Sequence, residues 1–219
     1  MPLNKDVVLR DAKATPRHHC LIYDGPPLEK IPLLALLIRK NLEDNYRCLY
    51  LNSPAMIAGL RSCLSAMGVD VATEITKGSL VLSSEQAKTD TDFDSDQMLS
   101  LLEDAVDSAL DGGFNGLWVT GDMSWEFGGA KDFKKLLEYE WRLEELFHKR
   151  EPLRGICQYH RDTLPTQVMR NSLLTHPCIA VNETLSRINP HYLESVFPVG
   201  KMTANHALDE VIAELCQTR

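Results

Sequence analysis

The sequence predicts an α/β fold, a mostly parallel sheet with helices on both faces. Short apolar, β-prone runs alternate with segments of helical periodicity, an order typical of parallel strands joined by right-handed crossovers. The apolar run that begins at Gly116 lacks polar alternation, as expected of a strand covered on both sides. With 219 residues, 44% of them hydrophobic, the chain can bury a large core, so we expect one domain spanning residues 1–219.

The first half of the chain alternates between predicted strands and predicted helices. We expect strands at residues 18–23, 47–51 and 79–83 and helices at residues 31–42, 54–67 and 98–110. Pro32 lies in the first turn of its helix, where a missing N–H is tolerated. Ser53 and Pro54 supply an N-cap and a first-turn proline for the next helix, and Gly68 can take the left-handed conformation that ends it. The last members of the acidic loop at residues 90–96 should cap the third helix.

The second half continues this alternation. We expect strands that begin at Gly116 and at residues 153–159 and 178–181, and helices at residues 131–149, 165–175 and 203–216. In open α/β sheets, ligands bind beyond the carboxyl ends of the strands. Asp122, Ser124 and Trp125 follow the strand that begins at Gly116, so we expect the ligand-binding region there.

Composition excludes several classes of function. The net charge of −8 and the absence of a lysine or arginine run argue against direct nucleic-acid binding. The six cysteines show no C-x-x-C spacing and predict reduced thiols inside a cell. No leader-like segment precedes the domain, and no apolar run approaches the roughly 18 residues that a membrane span needs. We therefore expect a cytoplasmic protein without membrane contact.

The loop after the first strand is where a nucleotide-binding fold of this order would place its phosphate loop. Such a loop needs successive backbone N–H groups, yet Pro26 and Pro27 lack them, and Asp24 and Glu29 add negative charge. The sequence therefore predicts that ATP does not bind in the usual manner.

Glu140 falls on the apolar stripe of the helix at residues 131–149, seven positions from both Phe133 and Phe147. A buried carboxylate must find a donor or become protonated. Two interpretations follow: a structural pair, or a ligand-recognition or proton-transfer group.

Two other combinations of residues were considered as sites. Alternation along the first strand puts His18 and Cys20 on one face, where they could share a ligand, but two ligands are too few to predict a metal site. Cys157 and His160 point to opposite faces of their strand, which disfavours a nucleophile–base pair, and we expect His160 in the loop beyond it.

Five short motifs, in this order and spacing, resemble the MEDS family of methanogen and methylotroph sensory domains, related to the dichloromethane-responsive regulator. They are His18-x-Cys20-x-x-Tyr23, Leu136-Leu-Glu-Tyr-Glu140, Cys157-Gln-Tyr-His-Arg-Asp162, Leu174-Thr-His-Pro177 and Asn189-Pro-His-Tyr192. The resemblance covers about residues 15–195. It implies a RecA- or KaiC-like fold without a functional phosphate loop, which agrees with the prolines after the first strand.

The resemblance also implies a non-enzymatic sensory domain that recognises a small, hydrocarbon-derived organic molecule. Family members often contain a DNA-binding or kinase domain, for which this sequence has no room, so we expect signalling through a separate kinase or transcription regulator. We expect one pocket at the strand ends, and neither a catalytic residue nor a metal or cofactor. Its ligand-binding residues would be His18, Cys20, Tyr23, Asp122, Trp125, Glu140 and Tyr159.

Two alternatives stay open. The first is a degenerate RecA-like nucleotide enzyme, in which Asp122 binds a metal ion and Glu140 acts as a base. The second is a pure protein-interaction module with a vestigial pocket. Homo-oligomerisation is also left open.

Overall fold

The computed structural model of the protein describes residues 17–84, 94–126, 133–181, 187–188 and 192. Strands and helices alternate along this part of the chain as predicted. The strands are β1 (His18–Tyr23), β2 (Arg47–Leu51), β3 (Leu80–Ser83), β4 (Leu117–Asp122), β5 (Leu153–His160), β6 (Cys178–Val181) and β7 (Arg187–Ile188). The helices are α1 (Ile31–Glu43), α2 (Pro54–Ala66), α3 (Val71–Lys77), α4 (Ser95–Asp111), α5 (Met123–Glu126), α6 (Phe133–Lys149) and α7 (Thr166–Thr175), and a short 3-10 helix, Pro27–Lys30, precedes α1.

The strands form one sheet in the order β3-β2-β4-β5-β1-β6-β7. The first six strands of the chain pair in parallel, and β7 is antiparallel to β6. This arrangement confirms the predicted mostly parallel sheet. The strands β4, β5 and β1 lie at its centre, so their side chains are positioned by neighbours on both sides.

Helices cover both faces of the sheet, and each face has its own apolar core. One core joins α4, α6 and α7 to the sheet through residues such as Leu102, Leu143 and Val168, and we call this side the α6 face. The other joins α1 and α2 through residues such as Leu34 and Leu60, and we call it the α1 face. All residues of β4 are buried, as its lack of polar alternation predicted.

Predicted capping interactions are present at two helix starts. The side chain of Asp94 accepts a hydrogen bond of 3.0 Å from the Gln97 N–H, so the end of the acidic loop caps α4 as expected. The Ser53 hydroxyl accepts one of 3.4 Å from the Met56 N–H at the start of α2. Residues 90–93 of the acidic loop and the helix predicted at residues 203–216 lie outside the described residues.

Two local predictions are wrong. Helix α3 was not predicted, because its seven residues are too few to show a helical stripe; Asp70 caps its start and Gly78, with φ of 76°, ends it. His160 is the last residue of β5 and not part of the loop beyond it, because it pairs with Tyr23 at the end of β1. Cys157 and His160 lie on opposite faces of the strand, as predicted.

Among the described residues no single helix is long and apolar enough to cross a membrane. The consecutive helices α2 and α3 are long and apolar enough only when taken together, and the chain bends by 111° between them.

Gly155 in β5 allows α6 to approach the centre of the sheet closely. A Cβ at this position would lie 2.5 Å from the Val119 carbonyl oxygen and 3.0 Å from the ring of Phe147 in α6. Such contacts are too short for the backbone and the ring to keep their places. The missing side chain therefore fixes the distance between α6 and the strands beneath it.

We predict that Gly155→Ala lowers the free energy of unfolding by about 1–3 kcal/mol, because the added Cβ would overlap Val119 in β4 and crowd the ring of Phe147 in α6. Gly59→Ala in α2 is the matched control: its Cβ would lie 3.3 Å from the flexible end of Leu28, and alanine should stabilise the helix by up to about 1 kcal/mol. Urea unfolding measures the free energy of unfolding of both variants, which should fall for Gly155→Ala and rise for Gly59→Ala. Equal changes in the two variants would contradict the packing argument.

Candidate functional site

Polar side chains collect at the carboxyl ends of four neighbouring strands on the α1 face. We call this set the strand-end cluster; its members are Tyr23, Tyr50, Asp122, Ser124, Gln158 and His160. Asp122, the last residue of β4, is 4% exposed and lies at its centre. Its Oδ2 accepts a hydrogen bond of 3.0 Å from the Tyr23 hydroxyl, and its Oδ1 accepts one of 2.8 Å from the Ser124 N–H.

The aromatic members of the strand-end cluster surround this carboxylate. The rings of Tyr23 and His160 are stacked, with centroids 4.8 Å apart, and His160 Nε2 lies 2.9 Å from the Gly25 carbonyl oxygen, to which it can donate. Burial, and then the charge of Asp122, raise the pKa of Tyr23 and of Tyr50 above the ordinary tyrosine value. Both phenols therefore stay neutral and remain hydrogen-bond donors at physiological pH.

Gln158 has an acceptor atom that its neighbours leave unsatisfied. The Thr120 hydroxyl donates its proton to the Ile156 carbonyl oxygen at 2.7 Å, so its oxygen must accept from the Gln158 amide nitrogen at 2.8 Å. The amide oxygen of Gln158 then points elsewhere, and it has no hydrogen-bond partner among the described residues. Gln158 is fully buried and is the register partner of Asp122 in the sheet, so the two side chains lie on the same face.

A second polar cluster lies on the α6 face of the same sheet. We call it the α6-face cluster; its members are His18, Glu140, Glu144, Cys157, Tyr159 and His176, all buried. His18 Nδ1 lies 2.7 Å from Glu144 Oε2, and His18 Nε2 lies 3.2 Å from the Cys157 sulfur. The His18 ring also stacks on Phe147, with centroids 4.3 Å apart, so its orientation is fixed from α6 as well as from the sheet.

Glu140 lies at the centre of the α6-face cluster. Helical periodicity places it on the buried stripe of α6, and it is 2% exposed, as predicted. The Tyr159 hydroxyl of β5 donates to its Oε1 at 2.5 Å, so the buried carboxylate has the donor that the sequence required. Its Oε2 lies 3.4 Å from His176 Nε2 and 3.8 Å from His18 Nε2. Burial raises the pKa of Glu140 to about 8, although the bond from Tyr159 opposes this shift.

The two histidines of the cluster have similar environments. His176 follows α7, and its Nδ1 lies 2.8 Å from the Ser172 carbonyl oxygen, so Nδ1 bears the proton that this acceptor needs. Burial lowers the pKa of both His18 and His176 well below the ordinary value. Both rings are therefore neutral, with Nδ1 as the donor and Nε2 as a lone pair directed towards Glu140 and Cys157.

The α6-face cluster contains a set of atoms that could bind a metal ion. One ligand atom each from His18, Glu140, Cys157 and His176 lie within 4.8 Å of one another. Imidazole nitrogen, thiolate sulfur and carboxylate oxygen are the ligands that Zn²⁺ uses in proteins. The sequence predicts no metal site, because alternation brings only His18 and Cys20 together on one strand face. Cys20 lies on the same face, but burial raises its thiol pKa and it is not part of this set.

The residues predicted to form one pocket do not meet in one place. His18, Cys20, Glu140 and Tyr159 are on the α6 face, whereas Tyr23 and Asp122 are on the α1 face. His18 and Tyr23 are five residues apart on β1, so alternation turns them to opposite faces and the strand separates them by roughly 16 Å. Trp125 lies in α5, and its side chain is outside the described part.

Several residues of the two clusters were missed as site residues. Glu144 follows Glu140 by one helical turn, and Cys157 shares a strand face with Tyr159, so periodicity alone could have added both. Gln158 and Tyr50 lie in strands predicted correctly, but nothing in the sequence distinguishes them from core residues. His176 lies in the turn after α7, where no periodicity predicts its neighbours.

We predict that Glu140→Gln changes how stability depends on pH. The pKa of Glu140 is raised from 4.5 to about 8, so the native state retains its proton more strongly, and this stabilisation, full below 4.5, is lost as pH rises through 8. The lowered pKa values of His18 and His176 act oppositely, but their effect is complete above about pH 6.5. The other titratable groups around the carboxyl, Cys20, Glu144, Cys157 and Tyr159, are common to both proteins.

Between pH 6.5 and 8, wild-type protein with chelator present should lose about 1.5–2 kcal/mol more unfolding free energy than the Glu140→Gln variant. Glutamine resembles the protonated acid and can still accept from Tyr159. Urea unfolding across this range measures the difference, and parallel curves would show that Glu140 is already ionised at pH 6.5.

Solved structures support the fold. A KaiC-like protein from the hyperthermophilic archaeon Pyrococcus horikoshii OT3 superposes with a TM-score of 0.52 at 15% identity, covering 76% of this chain and 71% of the other. The flagellar accessory protein FlaH from Methanocaldococcus jannaschii gives a TM-score of 0.54 at 12% identity, with the same coverage of 76% and 71%. The fold is therefore RecA/KaiC-like, as predicted. A search of curated protein sequences found no significant match.

A family match covers most of the described residues. The family is MEDS, the MEthanogen/methylotroph, DcmR Sensory domain, and it matches residues 17–177. This range includes both clusters and all of the strands from β1 to β5. The family description suggests a sensory role. On this match, and in agreement with the motif order from His18 to Pro177, the chain belongs to the MEDS family.

Proposed function

We propose that this chain is a non-enzymatic sensory domain that binds a small organic molecule at the strand-end cluster and signals through a separate partner protein. The family supports the sensory part of the proposal. The observation that supports the site most strongly is the buried amide oxygen of Gln158, which has no partner among the described residues and belongs to the register partner of Asp122. Leaving a buried acceptor unsatisfied costs about 1–3 kcal/mol, so a donor from a ligand would be favoured there.

The chemistry of the strand-end cluster indicates the class of ligand. Asp122 and Gln158 offer acceptors, while the rings of Tyr23, Tyr50 and His160 offer flat apolar surfaces. A small molecule with one hydroxyl or amine donor and a short hydrocarbon part fits this combination of a few polar groups and aromatic walls. Short-chain alcohols and amines are therefore the ligands we propose, in keeping with the hydrocarbon-derived molecules that the sequence resemblance implied.

Signalling requires that the ligand bind one conformation better than another. Asp122 ends β4 and its side chain also bonds to the first residues of α5, so a ligand that competes for the carboxylate would change how α5 leaves the sheet. We propose that a kinase or transcription regulator on another chain reads this change.

The nucleotide-enzyme alternative is favoured by one observation. Lys30 is 6% exposed and lies at the start of α1, where a cation could meet a phosphate. Against it, Pro26 and Pro27 provide no N–H groups, and the Gly25 N–H donates instead to the Asp162 carboxylate at 3.0 Å. The loop therefore presents few donors and additional negative charge to an anion.

We expect short-chain alcohols or amines to raise the melting temperature saturably, and ATP with Mg²⁺ to leave it unchanged. At 100 times its dissociation constant, a ligand adds about 2.7 kcal/mol to stability. Mass spectrometry of molecules released from natively purified protein would identify the compound to titrate.

Two variants and a control test the site. Gln158→Leu should change stability little, since it removes an unsatisfied oxygen together with the bond to the Thr120 hydroxyl, yet weaken ligand binding about tenfold or more. Asp122→Asn should weaken binding by roughly ten- to a hundredfold if the ligand donates to the carboxylate. Asp104→Asn, at an exposed position of α4, should change neither quantity. Stabilisation by ATP that Asp122→Asn abolishes, or turnover of a nucleotide, would overturn the proposal.

A further inference from the structure

The α6-face cluster brings together ligand-type side chains from four separate elements. His18 comes from β1, Glu140 from α6, Cys157 from β5 and His176 from the turn after α7. Their exposed fractions are 1%, 2%, 6% and 0%. Their ligand atoms lie within 4.8 Å of one another, and the second carboxylate oxygen of Glu140 has no hydrogen-bond partner among the described residues. A buried convergence of this kind is costly unless something satisfies the acceptors.

The hydrogen bonds around the cluster determine which nitrogens of the two histidine rings act as acceptors. Glu144 accepts from His18 Nδ1 at 2.7 Å, and the Ser172 carbonyl oxygen lies 2.8 Å from His176 Nδ1. Both Nδ1 atoms are therefore donors, so both Nε2 atoms are acceptors in the neutral rings, and the Cys157 thiol donates to that of His18 at 3.2 Å. Once its carboxyl is ionised, Glu140 Oε2 is a third acceptor, 3.4 Å from one Nε2 and 3.8 Å from the other. A cation between three acceptors would satisfy all of them.

The distances between these atoms match a tetrahedral site. Bond lengths of about 2.0–2.1 Å to nitrogen or oxygen and about 2.3 Å to sulfur imply ligand–ligand distances of about 3.3–3.6 Å. The three recorded pairs are 3.2 Å for His18 Nε2 to Cys157 Sγ and 3.4 and 3.8 Å for Glu140 Oε2 to His176 and His18. The most distant pair, within 4.8 Å, would have to close by about 1 Å.

We propose that His18 Nε2, Glu140 Oε2, Cys157 Sγ and His176 Nε2 bind one divalent transition-metal ion, for which Zn²⁺ is the best fit. Two imidazoles, a thiolate and a carboxylate suit this borderline ion. Glu144 and the Ser172 carbonyl oxygen act as outer partners that orient the two rings, and the Tyr159 hydroxyl orients Glu140. On binding at neutral pH, the thiol of Cys157 and the carboxyl of Glu140 each lose a proton to solvent. The proposal is independent of ligand sensing at the strand-end cluster on the opposite face.

The experiment uses the full chain, stripped with chelator and then titrated with Zn²⁺ and, separately, Co²⁺. We expect one ion per chain, and with Co²⁺ a thiolate-to-metal charge-transfer band together with the intense visible bands of a tetrahedral site. Cys157→Ala should abolish the charge-transfer band. Cys63→Ala, a half-buried cysteine that packs on the α1 face, is the matched control and should keep it.

Zn²⁺ competition with a chromophoric chelator separates ligands from orienting residues. Glu144→Gln should weaken Zn²⁺ binding by roughly 10–100-fold and leave the charge-transfer band in place. Cys157→Ala and Glu140→Gln should weaken it by more than Glu144→Gln does. Circular dichroism establishes that each variant is folded, and if Cys157→Ala does not fold, the wild-type Co²⁺ spectrum alone decides. Folded wild-type protein that binds no ion, or binds one without a thiolate band, would show a cluster satisfied by protons alone and overturn the proposal.

Discussion

Side-chain alternation along the paired parallel strands β1 and β5 is the constraint on which both clusters depend. The pairing matches Tyr23 with His160 and Cys20 with Cys157, so neighbouring residues on each strand point to the same face in register. On one face of the sheet, this alternation places His18, Cys157 and Tyr159 under α6. On the α1 face it places Tyr23, Gln158 and His160, together with Asp122. A one-residue shift of β5 would exchange the two sets and destroy both clusters.

The packing of α6 against the sheet adds the acidic side chains to one of these clusters. Gly155 leaves room for Phe147, and that close approach brings Glu140 and Glu144 down to the histidines. Two buried carboxylates and two buried imidazoles cost more to desolvate than an apolar core of equal volume. Their presence is therefore hard to explain by stability alone, and it favours a role in binding. The acids on α6 reach the histidines only because Gly155 allows the helix to pack this closely.

The fold and part of the site follow from sequence periodicity. Glu140 lies on the buried stripe of its helix as predicted, because a period of 3.6 fixes which face a side chain takes. The single-pocket prediction failed for His18 and Tyr23, since it grouped residues by chemical type although their spacing puts them on opposite faces. His176 lies beyond periodic reasoning, because its position depends on how α7 docks on the sheet. The clusters also require sheet order, which puts β5 between β1 and β4.

One sheet separates the two polar clusters, and we propose that the set on the α6 face binds a cation. A crystal structure of the full chain equilibrated with Zn²⁺, with anomalous diffraction recorded at the zinc edge, tests it most directly. We expect one strong anomalous peak about 2.0–2.3 Å from His18 Nε2, Glu140 Oε2, Cys157 Sγ and His176 Nε2, while the Tyr23 hydroxyl still donates to Asp122 on the other face. A peak at Asp122, or zinc bound to surface side chains while these four atoms bind none, would contradict it.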